Sequence, residues 1–193
     1  MLFARLIPIV LLAGSVGVAA ASRPEVAEPG DAPVALELEV SVGAREMRVM
    51  ENGEVVRTYA VAVGKSDYPT PQGQFSIRRV IWNPRWVPPK SPWARDKTAK
   101  EPGDPDNPMG KAKLFFQEPD YYIHGTNAEE SLGSAASHGC VRMANGDVVK
   151  LAELVMEHGG EPRPASWFQR IMNFVRRSEE VRLSNPVPLR IVA

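Results

Sequence analysis

The fold is decided by residues 34–63, which read VALELEVSVGAREMRVMENGEVVRTYAVAV. From Val34 to Val42 every second residue is apolar, which is the period-two pattern of a strand with one face in the core. Two further strand-like runs follow, and Asn52 and Gly53 stand between them. Both residues accept the positive φ that a two-residue type I′ hairpin requires. The stretch therefore predicts a β-meander.

A proline-rich segment separates this meander from the rest of the chain. A proline-fixed turn over residues 68–73 leads into a strand predicted from Gln74 to Trp82. Residues 83–113 then hold too many prolines for a helix or a central strand. Loops of this length tend to be lids or binding loops. Its two tryptophans, Trp86 and Trp93, are predicted either to pack on a ligand or to close over the core.

The second half of the chain combines short strands with helices. Strands are predicted at 114–117 and 121–124, and the second of these ends on a histidine. Apolar residues at helical spacing predict one helix over 145–158, with the asparagine at its start as N-cap, and another over 165–177. The closing run, 181–192, is strand-like, but its two prolines predict an edge strand. The predicted class is therefore mainly β, with one or two packed helices.

The N-terminal residues differ from the remainder of the chain. They carry Arg5, then an apolar run from Leu6 to Val18, then small residues. This order predicts a secretory signal peptide over residues 1–22, with cleavage near Ala21. An uncleaved membrane anchor is the alternative, although the run is shorter than the roughly 20 apolar residues that span a bilayer.

The composition of the chain indicates how the residues after the predicted signal peptide are organised. Residues 23–33 are rich in proline and are predicted to form a linker. A chain of 193 residues with 44% hydrophobic residues then suits one domain, expected over 34–193 with a helical and strand extension at its C-terminal end. Lysine plus arginine equals aspartate plus glutamate at 23 each, so no overall charge favours nucleic acid as a partner. No stable membrane span is expected after processing.

Cys140 is the only cysteine of the chain, and two of the three histidines lie near it in sequence. Exported proteins usually pair their structural cysteines, so an unpaired one is more often a reactive thiol. A thiol needs a nearby base or cation to become a competent nucleophile. His124 or His138 can serve as the base, and the thiol pKa is then expected below its reference value of about 8.5. The pattern predicts an activated sulfur.

The neighbouring residues suit acyl transfer. His124, at a strand end, is the better-placed base, and the N–H of Gly139 or of Cys140 is a candidate for an oxyanion hole. Arg142 offers a forked donor for a carboxylate. Two other interpretations remain open: a buried cysteine that acts as a small hydrophobe, and a zinc site made of Cys140, His124 and His138, which lacks HExxH or CxxC spacing.

One known family has a signature similar to these residues. The chain resembles the L,D-transpeptidase catalytic domain family (YkuD-type) in two stretches. These are Ser137-His138-Gly139-Cys140-Val141-Arg142-Met143 and, upstream, His124-Gly125-Thr126. Supporting matches are Thr70-Pro71-Gln72-Gly73, Asn83-Pro84-Arg85-Trp86 and Asn107-Pro108-Met109-Gly110. The resemblance covers roughly residues 34–159, and it implies a β-sandwich-like domain.

The resemblance also implies a reaction. The thiolate attacks the peptide bond after the third residue of a peptidoglycan stem, D-alanine leaves, and an amine of another stem takes the acyl group from the thioester. By matched position Cys140 is the nucleophile, and His124 accepts and returns the proton. The acyl pocket and the substrate contacts are implied to involve Ser137, His138, Gly139 and Arg142. No metal or organic cofactor is implied.

The sequence does not identify the acceptor of the acyl group. Water would make the protein an L,D-carboxypeptidase or hydrolase, and a lysine of an envelope lipoprotein would make it an anchoring enzyme. A noncatalytic peptidoglycan-binding module is the interpretation from another class, and the intact pair of His124 and Cys140 argues against it. Each alternative places the chain in the periplasm or cell envelope, with peptidoglycan stem peptides as its partner.

Overall fold

The computed structural model describes residues 35–173 and 177–193. The predicted signal peptide (1–22), the predicted linker (23–33) and residues 174–176 of the second predicted helix lie outside the described residues. Within the described ranges, no helix combines the length and the apolar character needed to cross a membrane.

Strands outnumber helices in the described part of the chain. The helices are α1 (Asn145–His158) and α2 (Ala165–Asn173), and short 3-10 turns occur at Pro92–Ala94 and Glu129–Ser131. The strands are β1 (Leu36–Ser41), β2 (Glu46–Glu51), β3 (Glu54–Ala60), β4 (Val63–Gly64), β5 (Gly73–Trp82), β6 (Ala112–Gln117), β7 (Tyr121–Thr126), β8 (Ala135–Ser137), β9 (Val141–Ala144) and β10 (Glu179–Val192).

One large sheet dominates the architecture. Its strand order is β3-β2-β1-β10-β5-β6-β7-β9, and β4 pairs with β8 in a second, two-stranded sheet. The two ends of the large sheet approach each other, because Ala62, just after β3, forms a bridge with Arg142 in β9. Backbone hydrogen bonds of 3.0 and 2.8 Å join these two residues. The sheet therefore curls toward a barrel, and the predicted mainly β class is confirmed.

The predicted meander is present in β1, β2 and β3. Neighbouring strands pair antiparallel, with Leu38 opposite Val49 in the first pair. The hairpin between β2 and β3 turns at Asn52 (φ 52°) and Gly53 (φ 84°), as the Asn-Gly dipeptide predicts. The alternating apolar residues of β1 face the core, where Leu38 and Val40 are buried.

Helix α1 packs its apolar face on the sheet and has the bounds predicted from the sequence. Its buried residues are Val148, Leu151, Ala152, Val155 and Met156. The predicted N-cap is wrong. Ala144 holds the cap position without a side-chain hydrogen bond, whereas the Asn145 side chain accepts from the Lys111 N–H at 3.1 Å and donates to the Thr126 carbonyl at 2.9 Å. The Asn145 side chain therefore bonds to neighbouring segments of the chain and does not cap the helix.

Helix α2 covers the indole of Trp82 at the end of β5. The ring centroids of Trp167 and Phe168 lie 6.0 and 5.4 Å from that of Trp82. The predicted helix extended to Arg177, which lies outside α2.

The last strand is central in the sheet, so the predicted edge position is wrong. β10 lies between β1 and β5. Pro186 falls in an interruption of the β10–β5 ladder between Arg182 and Val187, and Pro188 precedes Leu189, where the described pairing with β1 begins. Because proline lacks an N–H, a break in the ladder is where a central strand tolerates Pro186, whereas Pro188 is paired with Ser76 in the continuous part of the ladder to β5.

Candidate active site

The candidate site is built on one face of the three neighbouring strands β6, β7 and β9. Lys113 pairs with His124 across β6 and β7, and His124 pairs with Arg142 across β7 and β9. Residues that are paired across strands present their side chains on the same face. The sheet therefore arranges an amine, an imidazole and a guanidinium in one row.

Cys140 lies directly before β9, beside the row formed by Lys113, His124 and Arg142. Since Ile123 pairs with Val141, the parallel register places Cys140 level with Tyr122 and diagonal to His124. The Sγ–H of Cys140 donates to the Asp120 carbonyl oxygen at 3.2 Å. The pairing of β7 with β9 thus brings Cys140, directly before β9, next to the row that contains His124.

The turn before Cys140 is held by Ser137. Its hydroxyl donates to the Cys140 carbonyl at 2.5 Å and accepts the Gly139 N–H at 3.1 Å. Gly139 has φ 110°, and a Cβ at this position would lie 2.7 Å from the Tyr121 ring. Only glycine fits this conformation and this space. The turn therefore fixes the backbone position from which the Cys140 side chain projects.

His138 contacts aromatic rings of two loops. Its imidazole stacks on Trp93 with centroids 3.9 Å apart and an interplanar angle of 12°, and Tyr68 meets it edge-on at 5.0 Å. Burial lowers the pKa of His138, and the positive charges of Lys65 and Arg142 lower it further. Both tryptophans of the proline-rich loop line the cavity of the site. Trp86 is buried, with 7% of its surface exposed, whereas Trp93 is partly exposed and stacks on His138.

His124 is buried, with 3% of its surface exposed. Its Nδ1 lies 2.6 Å from the Gly125 carbonyl oxygen. A carbonyl can only accept, so Nδ1 carries the proton, and Nε2 of the neutral ring keeps its lone pair. Burial lowers the pKa of His124 to about 3, and hydrogen bonds to the backbone of Gly125 and Pro108 act in the opposite direction. The imidazole is therefore neutral at physiological pH.

The pKa of the Cys140 thiol differs from the value that was expected from the sequence. Burial raises its pKa to about 11, so the expected value below about 8.5 is wrong for the unliganded site. Hydrogen bonds from the backbone and side chain of Tyr122 favour the thiolate, as do the charges of Lys113 and Arg142. The resting site thus holds a neutral thiol and a neutral imidazole.

One cavity of about 620 Å³ connects these groups. Of the residues predicted from the sequence, His124, Ser137, His138, Cys140 and Arg142 line it. Gly139 contributes the backbone turn described above, and its N–H is donated to Ser137.

Several residues that line the cavity were not predicted as site residues from the sequence, and they include Tyr68, Lys113 and Tyr122. Period-two alternation within β7 could have placed Tyr122 on the face of His124. Lys113 required the strand register, which the sequence does not provide.

The predicted zinc alternative is not supported by the arrangement of side chains. In residues 35–173 and 177–193, no three or more histidine, cysteine, aspartate or glutamate residues form a group that could hold a metal ion. The three residues of that alternative, Cys140, His124 and His138, are all in the described part of the chain.

The fold and the site together define a curled β domain with a candidate cysteine–histidine centre on one sheet face. The chain belongs to the L,D-transpeptidase catalytic domain family (YkuD), whose sequence pattern it matches over residues 36–175.

Two Bacillus proteins illustrate the relationship. The chain is 38% identical over 132 residues to a Bacillus subtilis (strain 168) protein named "Putative L,D-transpeptidase YqjB", over 66% of this chain and 68% of that protein. It is 38% identical over 116 residues to "Putative L,D-transpeptidase YkuD" of Bacillus licheniformis, over 60% of this chain and 58% of that protein. The matched region is thus little more than half of the second relative.

A solved structure has the same fold. The catalytic domain from the E. faecium L,D-transpeptidase superimposes with a TM-score of 0.52 at 15% sequence identity, over 84% of this chain and 99% of that chain. This similarity extends over almost the whole of that catalytic domain, so the L,D-transpeptidase fold of the present chain is confirmed.

Proposed function

We propose that this protein is a cysteine-dependent L,D-transpeptidase that cross-links peptidoglycan stems. One observation carries the proposal: His124 on β7 and Cys140 directly before the adjacent strand β9 line the same cavity. A thiol with a neutral imidazole at hand is the arrangement that nucleophilic catalysis requires. The membership of the chain in the L,D-transpeptidase family supplies the substrate class.

The first half-reaction transfers the donor stem to sulfur. His124 takes the Sγ proton of Cys140 at Nε2 while the sulfur attacks the carbonyl carbon of the third stem residue. The tetrahedral intermediate collapses, the carbon–nitrogen bond to D-alanine breaks, and His124 returns the proton to the leaving amine. A thioester and free D-alanine result.

The second half-reaction reverses these roles. An amine of an acceptor stem attacks the thioester, His124 removes its proton, and the thiol of Cys140 is restored. Water in place of the amine gives a carboxypeptidase product, and a lysine of an envelope lipoprotein gives an anchored protein. A raised thiol pKa suits a site in which the proton leaves sulfur only as the new bond forms.

The surrounding residues bind and orient the stem. Arg142 lies next to His124 in the row and offers a fork to a carboxylate of the substrate. His138, held by Trp93, forms one wall of the acyl pocket. Ser137 and Gly139 shape the turn from which the backbone N–H of Cys140 approaches the oxyanion.

Membership of the L,D-transpeptidase family supports an enzyme of the cell envelope. We include in the proposal a signal peptide at 1–22, a linker at 23–33 and a single catalytic domain at 34–193. Action in the periplasm or cell wall follows from the substrate, because peptidoglycan lies outside the cytoplasmic membrane.

The experiment compares wild-type protein with Cys140→Ala on purified tetrapeptide muropeptides. Mass spectrometry is expected to reveal cross-linked dimers and free D-alanine with the wild type and neither product with the variant, at equal thermal stability. Reactions with and without an acceptor stem separate transfer from hydrolysis. Identical product profiles for both proteins would overturn the nucleophile assignment, and binding without any product would indicate a noncatalytic module.

A further inference from the structure

Lys113 is a cation of the candidate site that the proposed mechanism leaves unused. Its residue pairs with His124, and its side chain lines the same cavity as Cys140. The Nζ atom lies 4.8 Å from the ring centroid of Tyr122 and 5.2 Å from that of Phe115. Two aromatic faces thus hold the ammonium within the cavity.

No carboxylate neutralises Lys113 within the described ranges 35–173 and 177–193. The acidic residue that acts on it electrostatically is Glu118, whose two carboxylate oxygens already accept from Arg79 at 2.7 and 2.8 Å. A partly buried ammonium without a carboxylate partner is costly unless another anion compensates it. The other group of opposite charge that it faces is the thiolate form of Cys140.

We propose that Lys113 stabilises the thiolate of Cys140 as the negative charge develops on sulfur. The proposal rests on the proposed function only in that Cys140 is the nucleophile. The S–H bond breaks and the proton moves to Nε2 of His124, while Lys113 keeps its own proton throughout. The ammonium thus acts as a fixed charge rather than as a base.

The electrostatics of the cavity agree with this role. Burial lowers the pKa of Lys113 to about 8, while Cys140 opposes that change, and burial raises the pKa of Cys140 to about 11, while Lys113 opposes that change. A pKa near 8 leaves the amine mostly protonated at pH 7, so the cation is present when His124 removes the proton from sulfur at neutral pH.

The other charged and titratable groups around the pair come from several elements. Arg79 on β5 disfavours the ammonium and Glu118 in the β6–β7 turn favours it. On β9, Arg142 favours the thiolate together with Lys113, and Tyr122 on β7 supports it through hydrogen bonds. His124 is neutral and adds no charge. Removal of Lys113 therefore leaves Arg142 as the remaining cation that acts on the sulfur.

The test measures the rate at which iodoacetamide alkylates Cys140 as a function of pH, which reports thiolate formation without any peptide substrate. Lys113→Met keeps the length of the side chain and removes its charge. Its alkylation rate at pH 7, where Lys113 of the wild type is mostly protonated, is expected to be about tenfold lower than that of the wild type. Lys113→Arg keeps the cation and is expected to stay close to the wild type.

Lys111→Met is the matched control, because Lys111 is exposed and lies two residues away in sequence. It should follow the wild-type profile. Circular dichroism checks the fold, and Lys113→Gln serves as the neutral variant if Lys113→Met does not fold. A neutral variant whose profile overlays the wild type would overturn the proposal, and so would an arginine variant as slow as the neutral ones.

Failure of the Lys113 role is distinguishable from failure of the transpeptidase function. If the wild type makes no cross-links but Lys113→Met still lowers the alkylation rate at pH 7, the proposed function fails and the role of Lys113 stands. If the wild type makes cross-links and Lys113→Met only raises KM, with an unchanged alkylation profile, Lys113 binds a substrate carboxylate and the thiolate role is overturned.

Discussion

Gly139 determines the position of the sulfur at the scale of single residues. Its φ of 110° and the 2.7 Å approach of the Tyr121 ring to a hypothetical Cβ both exclude a side chain. The residue after it is Cys140, so any shift of this turn moves the sulfur relative to His124.

Gly139→Ala is expected to lower the free energy of unfolding by about 1–3 kcal/mol through backbone strain and displacement of Tyr121. It should also slow the alkylation of Cys140. Gly133→Ala is the control, because Gly133 has φ 77° but nothing within 4 Å of its hypothetical Cβ. Urea denaturation checks the prediction. Equal losses in both variants would contradict the role assigned to the Tyr121 contact.

His124 makes stability depend on pH. Burial lowers its folded-state pKa to about 3, below the reference of about 6.5, so the unfolded chain binds more protons between these values. Its contribution is complete above pH 6.5 and is lost as the pH falls toward 3, at no more than about 1.4 kcal/mol per pH unit.

His124→Gln should therefore have a shallower decrease in unfolding free energy between about pH 6.5 and 4 than the wild type. Urea denaturation at several pH values measures the two slopes. His138→Gln is the control, since the His138 ring is only partly buried. Parallel slopes for wild type and His124→Gln would rule out a neutral, buried imidazole.

At the scale of elements, local patterns predicted the strands and α1 well. Alternation placed β1, the Asn-Gly dipeptide placed the hairpin, and helical spacing gave the bounds of α1. The position of β10 was missed because proline content reports missing N–H groups and not strand order. Asn145 was misassigned because its partners, Lys111 and Thr126, are distant in sequence.

The proline-rich loop between β5 and β6 covers the site through Trp93. The Trp93–His138 stack is expected to contribute about 0.5–1.5 kcal/mol to loop placement. Trp93→Ala should therefore raise KM for the donor stem roughly two- to tenfold, with little change in the midpoint of thermal unfolding, because the indole is partly exposed.

Trp86→Ala provides the contrast in the same loop. Trp86 is buried, and its truncation should cost about 3–5 kcal/mol of stability. Steady-state kinetics and thermal unfolding of both variants measure the difference. A large stability loss in Trp93→Ala with unchanged KM would contradict the assignment of this side chain to the site.

At the scale of the whole molecule, the sheet order creates the site. His124 and Cys140 were predicted from their residue types and from the motif around them, and the parallel pairing of β7 with β9 makes them neighbours. Lys113 on β6 lies beside His124 because β6 pairs antiparallel with β7. Its contribution depends on register across three strands, which is a property of the assembled sheet and has no local signal.

Burial in the folded protein shifts the pKa of Cys140 in the direction opposite to the one expected from the sequence. A thiol near two histidines suggested a depressed pKa, yet burial raises the pKa of Cys140 to about 11. Desolvation depends on what surrounds a side chain, and the residues that line the cavity with Cys140 come from separate loops and strands. The residues of the candidate site were therefore predictable from residue types and motif, whereas its electrostatics were not.

If Cys140 carries the donor stem as a thioester, the acyl-enzyme can be trapped by acid quenching of a reaction with a tetrapeptide stem and detected by intact-protein mass spectrometry. The wild type is expected to form an adduct with the mass of the stem acyl group left after D-alanine departs, and Cys140→Ala is expected to form none. Release of D-alanine by Cys140→Ala at the wild-type rate would show that Cys140 is not the nucleophile.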